Sequence, residues 1–240
     1  MTVFPYKERE GGKKKQVADM FDNISHRYDF LNHLLSLGID IKWRKKAIRL
    51  LHPYLPKTIL DIATGTGDLA IESLVLDPVK VTGIDISEGM LEVGRRKIRK
   101  RGLDNKIELQ HGDSENLPFS DNNFDAVIVA FGVRNFENLE KGLSEMYRVL
   151  KSGGHAVILE FSKPSVFPLK QLYKCYFKWI LPLIGKKISN DNFAYTYLPA
   201  SVNAFPEGKS FGDILQRIGF KNIVIKPLTF GISTIYIGLK

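Results

Sequence analysis

The chain has 240 residues, 44% of them hydrophobic, which suits one domain with a sizeable core. A single cysteine, Cys175, excludes an internal disulfide, and no apolar run approaches the length of a membrane span. The net charge of +9 is unevenly placed: residues 1–60 carry 12 Lys and Arg against 6 Asp and Glu, residues 61–160 carry 12 against 17, and residues 161–240 carry 11 against 3. The plain reading of the basic flanks is solvated surface; the sharper one is contact with something anionic, a lipid headgroup or a nucleic acid. No apolar stretch backs the basic N-terminus, so no signal peptide is expected. The expected location is the cytoplasm, either free or peripheral at the inner face of the cell membrane.

Residues 1–15 are charged and read as a frayed tail. Residues 16–36 place Val17, Met20, Phe21, Ile24, Tyr28 and Leu31 at helical spacing, with a break expected near Ser25-His26. Gly38 ends that segment, Asp40 is expected to cap a second helix through Leu51, and Pro53 and Pro56 stop it. Strands then alternate with helices. The strands are expected at Thr58–Ile62, Lys80–Ile84, Ile107–His111, Phe124–Ala130 and His155–Phe161. The helices are expected at Asp68–Leu76, Ser87–Arg101 and Leu139–Leu150, with Gly153-Gly154 separating the last from its strand. This alternation predicts βαβ units, a parallel sheet and right-handed crossovers. It lapses over residues 164–207, which are rich in aromatic, Lys and Pro residues. A helix over Phe211–Ile218 and two β-rich runs, Asn222–Lys226 and Ile232–Ile237, follow. The short loop between those runs demands an antiparallel hairpin at the sheet edge.

The segment Ile59-Leu60-Asp61-Ile62-Ala63-Thr64-Gly65-Thr66-Gly67 is a buried strand running into a glycine turn and a helix. Gly65 and Gly67 let backbone approach a ligand closely. Taken alone, the turn also fits a dinucleotide fingerprint, with Asp85 at the expected distance. Three features favour S-adenosylmethionine. Asp61 can hold the cationic methionine end, where a dinucleotide would place its pyrophosphate. His111-Gly112-Asp113 ends the third strand where adenine would lie. The terminal hairpin replaces the parallel sixth strand of a dinucleotide fold.

These motifs, with Gly83-Ile84-Asp85, Leu117-Pro118-Phe119 and Arg148 to Gly154, resemble the successive motifs of class I S-adenosylmethionine-dependent methyltransferases over residues 55–162. The resemblance implies an α/β, Rossmann-like sheet of order 3-2-1-4-5-7-6 with strand 7 antiparallel, plus N-terminal helices and a helical cap insertion. It implies that Asp85 chelates the ribose hydroxyls. Thr66 and the backbones of Gly65 and Gly67 would line the methionine part, and Asp113 and Ser114 would contact adenine. No metal site is expected.

Outside the core, Phe21 to Asp29, Leu31-Asn32, Leu35 to Gly38 and Trp43-Arg44 are similar to the N-terminal signature of the ubiquinone/menaquinone biosynthesis C-methyltransferases. So are Phe131 to Asn135, Leu159 to Ser162, and Tyr197-Leu198-Pro199 with Ser201. Some members place a serine at the position of Ala130 and assign it a cofactor contact, which alanine cannot make. The resemblance implies one methyltransferase domain over 1–240: N-terminal helices (1–52), cofactor-binding core (53–163), cap insertion (164–210), and helix with terminal hairpin (211–240). It implies C-methylation of a prenylated quinol, demethylmenaquinol or a benzoquinol. Arg134 would stabilise the phenolate and Asn135 orient a ring oxygen. Asp29 would accept the proton, with Tyr28 or His33 behind it. An amphipathic helix from Leu172 to Ile184, edged by Lys170, Lys174, Lys178, Lys186 and Lys187, would either dock on an anionic membrane or cap the site. A homodimer stays open. A nucleic-acid methyltransferase is disfavoured because no RNA-binding module is recognisable. A non-catalytic cofactor-binding protein is the remaining alternative.

Overall fold

The computed structural model describes residues 3–6, 11–176, 179 and 192–240. Among these, β1 (Thr58–Ile62), β2 (Lys80–Asp85), β3 (Ile107–His111), β4 (Phe124–Ala130), β5 (Leu150–Phe161), β6 (Lys221–Leu228) and β7 (Ser233–Leu239) form one sheet. The strand order is β3-β2-β1-β4-β5-β7-β6. Strands β1 to β5 pair in parallel, and β7 runs antiparallel to both β5 and β6. This is the expected class I methyltransferase sheet, reversed last strand included.

The inner strand β4 and the Ala156–Leu159 stretch of β5 are largely apolar because both sheet faces are covered there. On one face pack α2 (Ile39–Arg49), α3 (Asp68–Ser73) and α4 (Glu88–Lys100), through Trp43, Ile48, Leu69, Leu91 and Ile98. On the other pack α5 (Leu139–Val149) and α8 (Lys209–Ile218), through Leu143, Met146, Phe211 and Leu215. A third apolar cluster lies off the sheet. There Val17, Met20 and Ile24 of α1 (Lys13–Leu35) meet Met90 of α4 and Ala194 and Tyr197 of α7 (Asn192–Ala204). Helix α6 (Leu169–Cys175) completes the described elements. The long helix α1 therefore roofs the carboxyl ends of the strands, where open α/β sheets bind ligands.

Three local expectations need correction. Helix α1 does not break at Ser25-His26. The Ser25 hydroxyl donates to the Asp22 carbonyl three residues back (2.9 Å), so the polar pair is absorbed within the helix. Asp40 does not cap α2: Gly38, in the left-handed region at φ 73°, stands at that cap, and Asp40 pairs with Arg44 (2.6 Å). Gly153-Gly154 lies inside β5 rather than before it. Leu150 already pairs with Phe124, and an irregularity in the ladder precedes the Ala126–His155 pair. The expected amphipathic helix from Leu172 to Ile184 falls largely outside the described residues, which retain only its first part.

Candidate active site

The turn from β1 to α3 builds the floor of a first cavity, walled by Ala63, Gly65, Asp85, Asp113, Ser114 and Asn135 among others. Gly65 adopts φ +56°, and a Cβ there would meet nothing within 4 Å. A side chain at that position would be strained and would project into the cavity. At the far wall the approach is tight: a Cβ on Gly132 would stand 2.7 Å from that of Ala63. Ala63 and Phe131 themselves hold left-handed φ values of 51° and 60°, strain placed at the ends of β1 and β4.

The acids behave differently from one another. Asp85 is buried, and its two oxygens accept from the Gly65 N–H (2.8 Å) and the Ser87 N–H (2.9 Å). Burial still raises its pKa. Asp61 is 1% exposed and lies beneath the turn rather than on the cavity wall. One oxygen accepts from Thr64 (2.6 Å), and the other has no hydrogen-bond partner. Burial, with the neighbouring Asp85 adding to it, pushes the Asp61 pKa up to about 7. Asp113 is on the wall, but Lys14 of α1 holds its carboxylate at 2.7 Å, and the Glu115 N–H donates to it at 2.9 Å. Ser114 lines the same wall.

Helix α1 closes this cavity with Lys14, Val17, Phe21 and Tyr28. Its other polar residues are latches. Asp22 accepts from the Ser87 hydroxyl (2.6 Å) and the Gly89 N–H (2.9 Å). Lys13 is buried and donates to the carbonyls of Phe136 (2.7 Å) and Arg134 (3.2 Å). Desolvation, with Arg134 nearby, lowers the Lys13 pKa to about 8. Asp29 accepts from Thr66 Oγ1 (2.5 Å) and pairs with Lys97 (2.5 Å). This corrects two expectations. Asp29 lines neither cavity, so it is not placed to take a proton from a substrate, and the Thr66 hydroxyl turns toward Asp29 and Lys97 rather than to the cofactor position. Gly67 likewise sits off the wall, starting α3 with φ +80°. His33 is also behind the wall, held to Asp40 at 3.0 Å.

A second cavity of about 360 Å³ shares Phe21, Tyr28 and Phe131 with the first. Its lining is largely aliphatic and aromatic, with Met20, Ile24, Trp43, Phe161, Leu169 and Tyr197. Arg134 lies on its wall, 7% exposed at the side chain and paired with the fully buried Glu160 at 2.8 Å. The guanidinium also donates to the Phe131 carbonyl and stands 5.4 Å from the centre of the Phe161 ring. Its Nε has no hydrogen-bond partner. Asn135, on the wall of the first cavity, is nearly buried, and its Oδ1 has no partner either. Tyr28 is the one expected catalytic residue that faces both cavities. Sequence reasoning did not find Glu160 or Lys14. The first carried a usable signal, an acid closing an otherwise apolar strand; the second sits in a plain run of lysines.

The profile of the ubiE/COQ5 methyltransferase family matches residues 9–240. The chain belongs to this family. A demethylmenaquinone methyltransferase of Bacteroides fragilis is 53% identical over 99% of this chain and 97% of its own length. The ubiquinone/menaquinone biosynthesis C-methyltransferase of Geotalea daltonii is 46% identical over 98% and 100% of the two chains. Among solved structures, an S-adenosylmethionine-dependent methyltransferase of Thermotoga maritima superposes with a TM-score of 0.65 at 20% identity, covering 93% of this chain and 99% of that one. That likeness shows the fold.

The residues present fit the methyl donor that a ubiE/COQ5 enzyme implies. The partnerless oxygen of Asp61 is a buried acceptor, suited to the ammonium of a methionine moiety. The open space before Gly65 admits backbone-close approach. Asp85, at the end of β2, can accept two further hydrogen bonds from vicinal hydroxyls on its remaining lone pairs.

Proposed function

We propose that the protein methylates a ring carbon of a prenylated quinol, converting demethylmenaquinol to menaquinol with S-adenosylmethionine as donor. The single observation that carries this reading is the pairing of the two cavities: a cofactor cleft shares an aromatic wall with a larger, mainly apolar cavity that the buried Arg134 borders. A water-soluble acceptor would not need such a lining. The Bacteroides fragilis relative is a demethylmenaquinone methyltransferase, which supports the naphthoquinol. The Geotalea daltonii relative, with ubiquinone in its name, supports a benzoquinol as the second reading.

S-adenosylmethionine supplies an electrophilic methyl on a sulfonium. The chain's residues make the acceptor reactive and aim it. A quinol carbon becomes nucleophilic when a neighbouring hydroxyl gives up its proton. After the carbon–carbon bond forms, the displaced ring proton leaves and aromaticity returns. Arg134 shares its charge with Glu160, so the pair is close to neutral and an uncharged ring can be seated beside it. The free Nε–H is then a fixed donor that strengthens as the ring oxygen gains charge. A guanidinium does not act as a base. Tyr28 stands at the wall common to both cavities, where carbon and methyl must meet in line. Phe21 and Phe131 exclude water there. Asp61, Asp85, Gly65 and Ser114 hold the donor.

The acceptor reaches the site from a lipid surface. The strand ends that carry the site also carry exposed apolar tips, Leu37 between α1 and α2, Phe167 after β5 and Phe230 between β6 and β7. Among the described residues no helix is long and apolar enough to cross a membrane; the contact proposed is a peripheral one. Methyl-labelled donor incubated with the protein and detergent-dispersed demethylmenaquinol, a benzoquinol analogue or bulk RNA tests the reading. Label in the naphthoquinol is expected. Label in RNA, or in no acceptor, would sink it.

A further inference from the structure

Most polar side chains on the wall of the second cavity already hold one another. Ser36 and Arg44 both donate to Asp40, and Thr229 Oγ1 accepts from Trp43 Nε1 at 2.8 Å. Tyr197 differs. It is 4% exposed, it lines this cavity, and its hydroxyl has no hydrogen-bond partner among the described residues. It belongs to α7, where Ala194, Tyr197 and Leu198 fall on one helical face and all three line the cavity. The ring packs in the third apolar cluster with Val17, Met20 and Ile24, which fixes where the phenol stands. The pKa of Tyr197 is raised to about 12, by burial first, with Arg134 lowering and Glu160 raising it. The phenol therefore stays protonated, and it lies within electrostatic reach of the Arg134–Glu160 pair.

Tyr197 and Arg134, each with a buried donor that has no partner among the described residues, thus line one apolar cavity. A buried donor is costly unless something satisfies it, and a prenyl tail cannot. A dihydroxylated ring can, because it brings two oxygens. We propose that the Tyr197 hydroxyl donates a hydrogen bond to a ring oxygen of the acceptor, a second polar contact beside Arg134. This rests on the quinol reading above. Tyr197 selects for an oxygenated ring, and it holds the ring so that the methylated carbon faces the cleft. The phenol does not accept the acceptor's proton.

Tyr197→Phe keeps the ring and its packing and removes only the hydroxyl. The variant and the wild-type protein are assayed with detergent-dispersed demethylmenaquinol. Donor affinity is measured by calorimetry and stability by thermal melting. The expected result is a fall in kcat/KM of about ten- to a hundredfold, the loss that follows removal of one donor to a charge-bearing oxygen. Donor affinity should not change. The melting temperature should stay level or rise, because the deleted hydroxyl has no partner to lose. Unchanged kcat/KM would overturn the proposal. So would a loss of turnover that follows a parallel loss of melting temperature, which would make Tyr197 a packing residue. A wild-type protein inactive on every quinol would instead overturn the quinol reading and this contact with it.

Discussion

At the scale of single residues, Asp61 couples cofactor binding to pH. Its carboxyl titrates at about 7 because burial and Asp85 disfavour the charged form, and one oxygen finds no donor. A carboxyl whose folded value lies above its unfolded one adds stability below the ordinary carboxylate range. That stability is lost as pH rises through the folded value, near 7 here. An ammonium placed against Asp61 needs the ionised form, so binding below pH 7 must expel a proton. Donor affinity should therefore climb about tenfold per pH unit up to pH 7 and level off above it. The stabilisation conferred by saturating donor should be larger at pH 8 than at pH 6. Calorimetry in buffers of different ionisation enthalpy reads the released proton directly, and Asp61→Asn should bind weakly with a flat profile. A wild-type affinity that does not vary between pH 5.5 and 8 would remove this carboxylate from the ammonium site. The sequence singled out Asp61 as a candidate binding residue, since an acid before a glycine turn is a local pattern. Its perturbed titration was not legible, because burial and the missing partner depend on how Thr64 and Asp85 fold around it.

At the scale of elements, helix α1 is held over the cofactor cleft by polar latches at its start, middle and end. Lys13 and Lys14 grip the 134–136 turn and Asp113, Asp22 grips the start of α4, and Asp29 grips Thr66 and Lys97. Lys97 also holds Asp68 at 2.7 Å, so one ammonium on α4 ties α1 to α3. On the proposed reading a donor of nucleoside size would enter past this roof, and the latches would open for it. Lys97→Met leaves Asp29 without its cation and Asp68 with Arg44 at 3.7 Å, a loss of about 1 kcal/mol for partly exposed pairs. Amide exchange over the Asp29 end of α1 should then quicken by about fivefold while β1 and β4 stay unchanged. Equal exchange in wild type and variant would show that the apolar cluster alone holds the roof. The latches explain what the sequence concealed. Strand positions such as Thr58–Ile62 and Phe124–Ala130 follow from local apolar runs, and they were readable to the residue. Asp29 has no such local signature: its partners stand 37 and 68 positions away, so an acid near the substrate side of the motif looked like a base. Glu160 reads in the sequence only as an acid near the end of a strand; its pairing with Arg134, 26 positions back, needs the sheet to form.

At the scale of the whole molecule, exposed apolar side chains gather at the end of the sheet that carries the site. Residues 161–240 hold 11 basic and 3 acidic side chains. Leu37 is 88% exposed and Phe230 72%, and both hold left-handed φ values, 53° and 59°. The turns that present them come from opposite ends of the sequence, and both also wall the second cavity, through Leu37 itself and through Thr229 and Ile232. The bond from Trp43 to Thr229 ties the two turns' supports together. Exposed Lys42, Lys170 and Lys226 lie on the elements beside these tips. On the proposed reading this arrangement meets an anionic bilayer: the apolar tips would enter the headgroup layer, lysines would meet the phosphates, and a prenyl tail would pass from the acyl region into the apolar cavity. Phe167→Asp combined with Phe230→Asp replaces two apolar tips that line neither cavity with like charges on exposed turns, which should leave the melting temperature within about a degree of wild type. Affinity for vesicles containing phosphatidylglycerol, read by co-sedimentation at low salt, should fall by about a hundredfold or more, since each buried tip contributes about 1.5–3 kcal/mol. With vesicle-embedded long-tail acceptor, KM should rise in step with that loss. With a short-tail acceptor in detergent, kcat and KM should match wild type, because neither side chain touches the reacting ring. Undiminished vesicle binding by the double variant would place the membrane contact elsewhere on the basic surface. A KM that rose equally for the short-tail acceptor would mean that these tips shape the cavity rather than its approach.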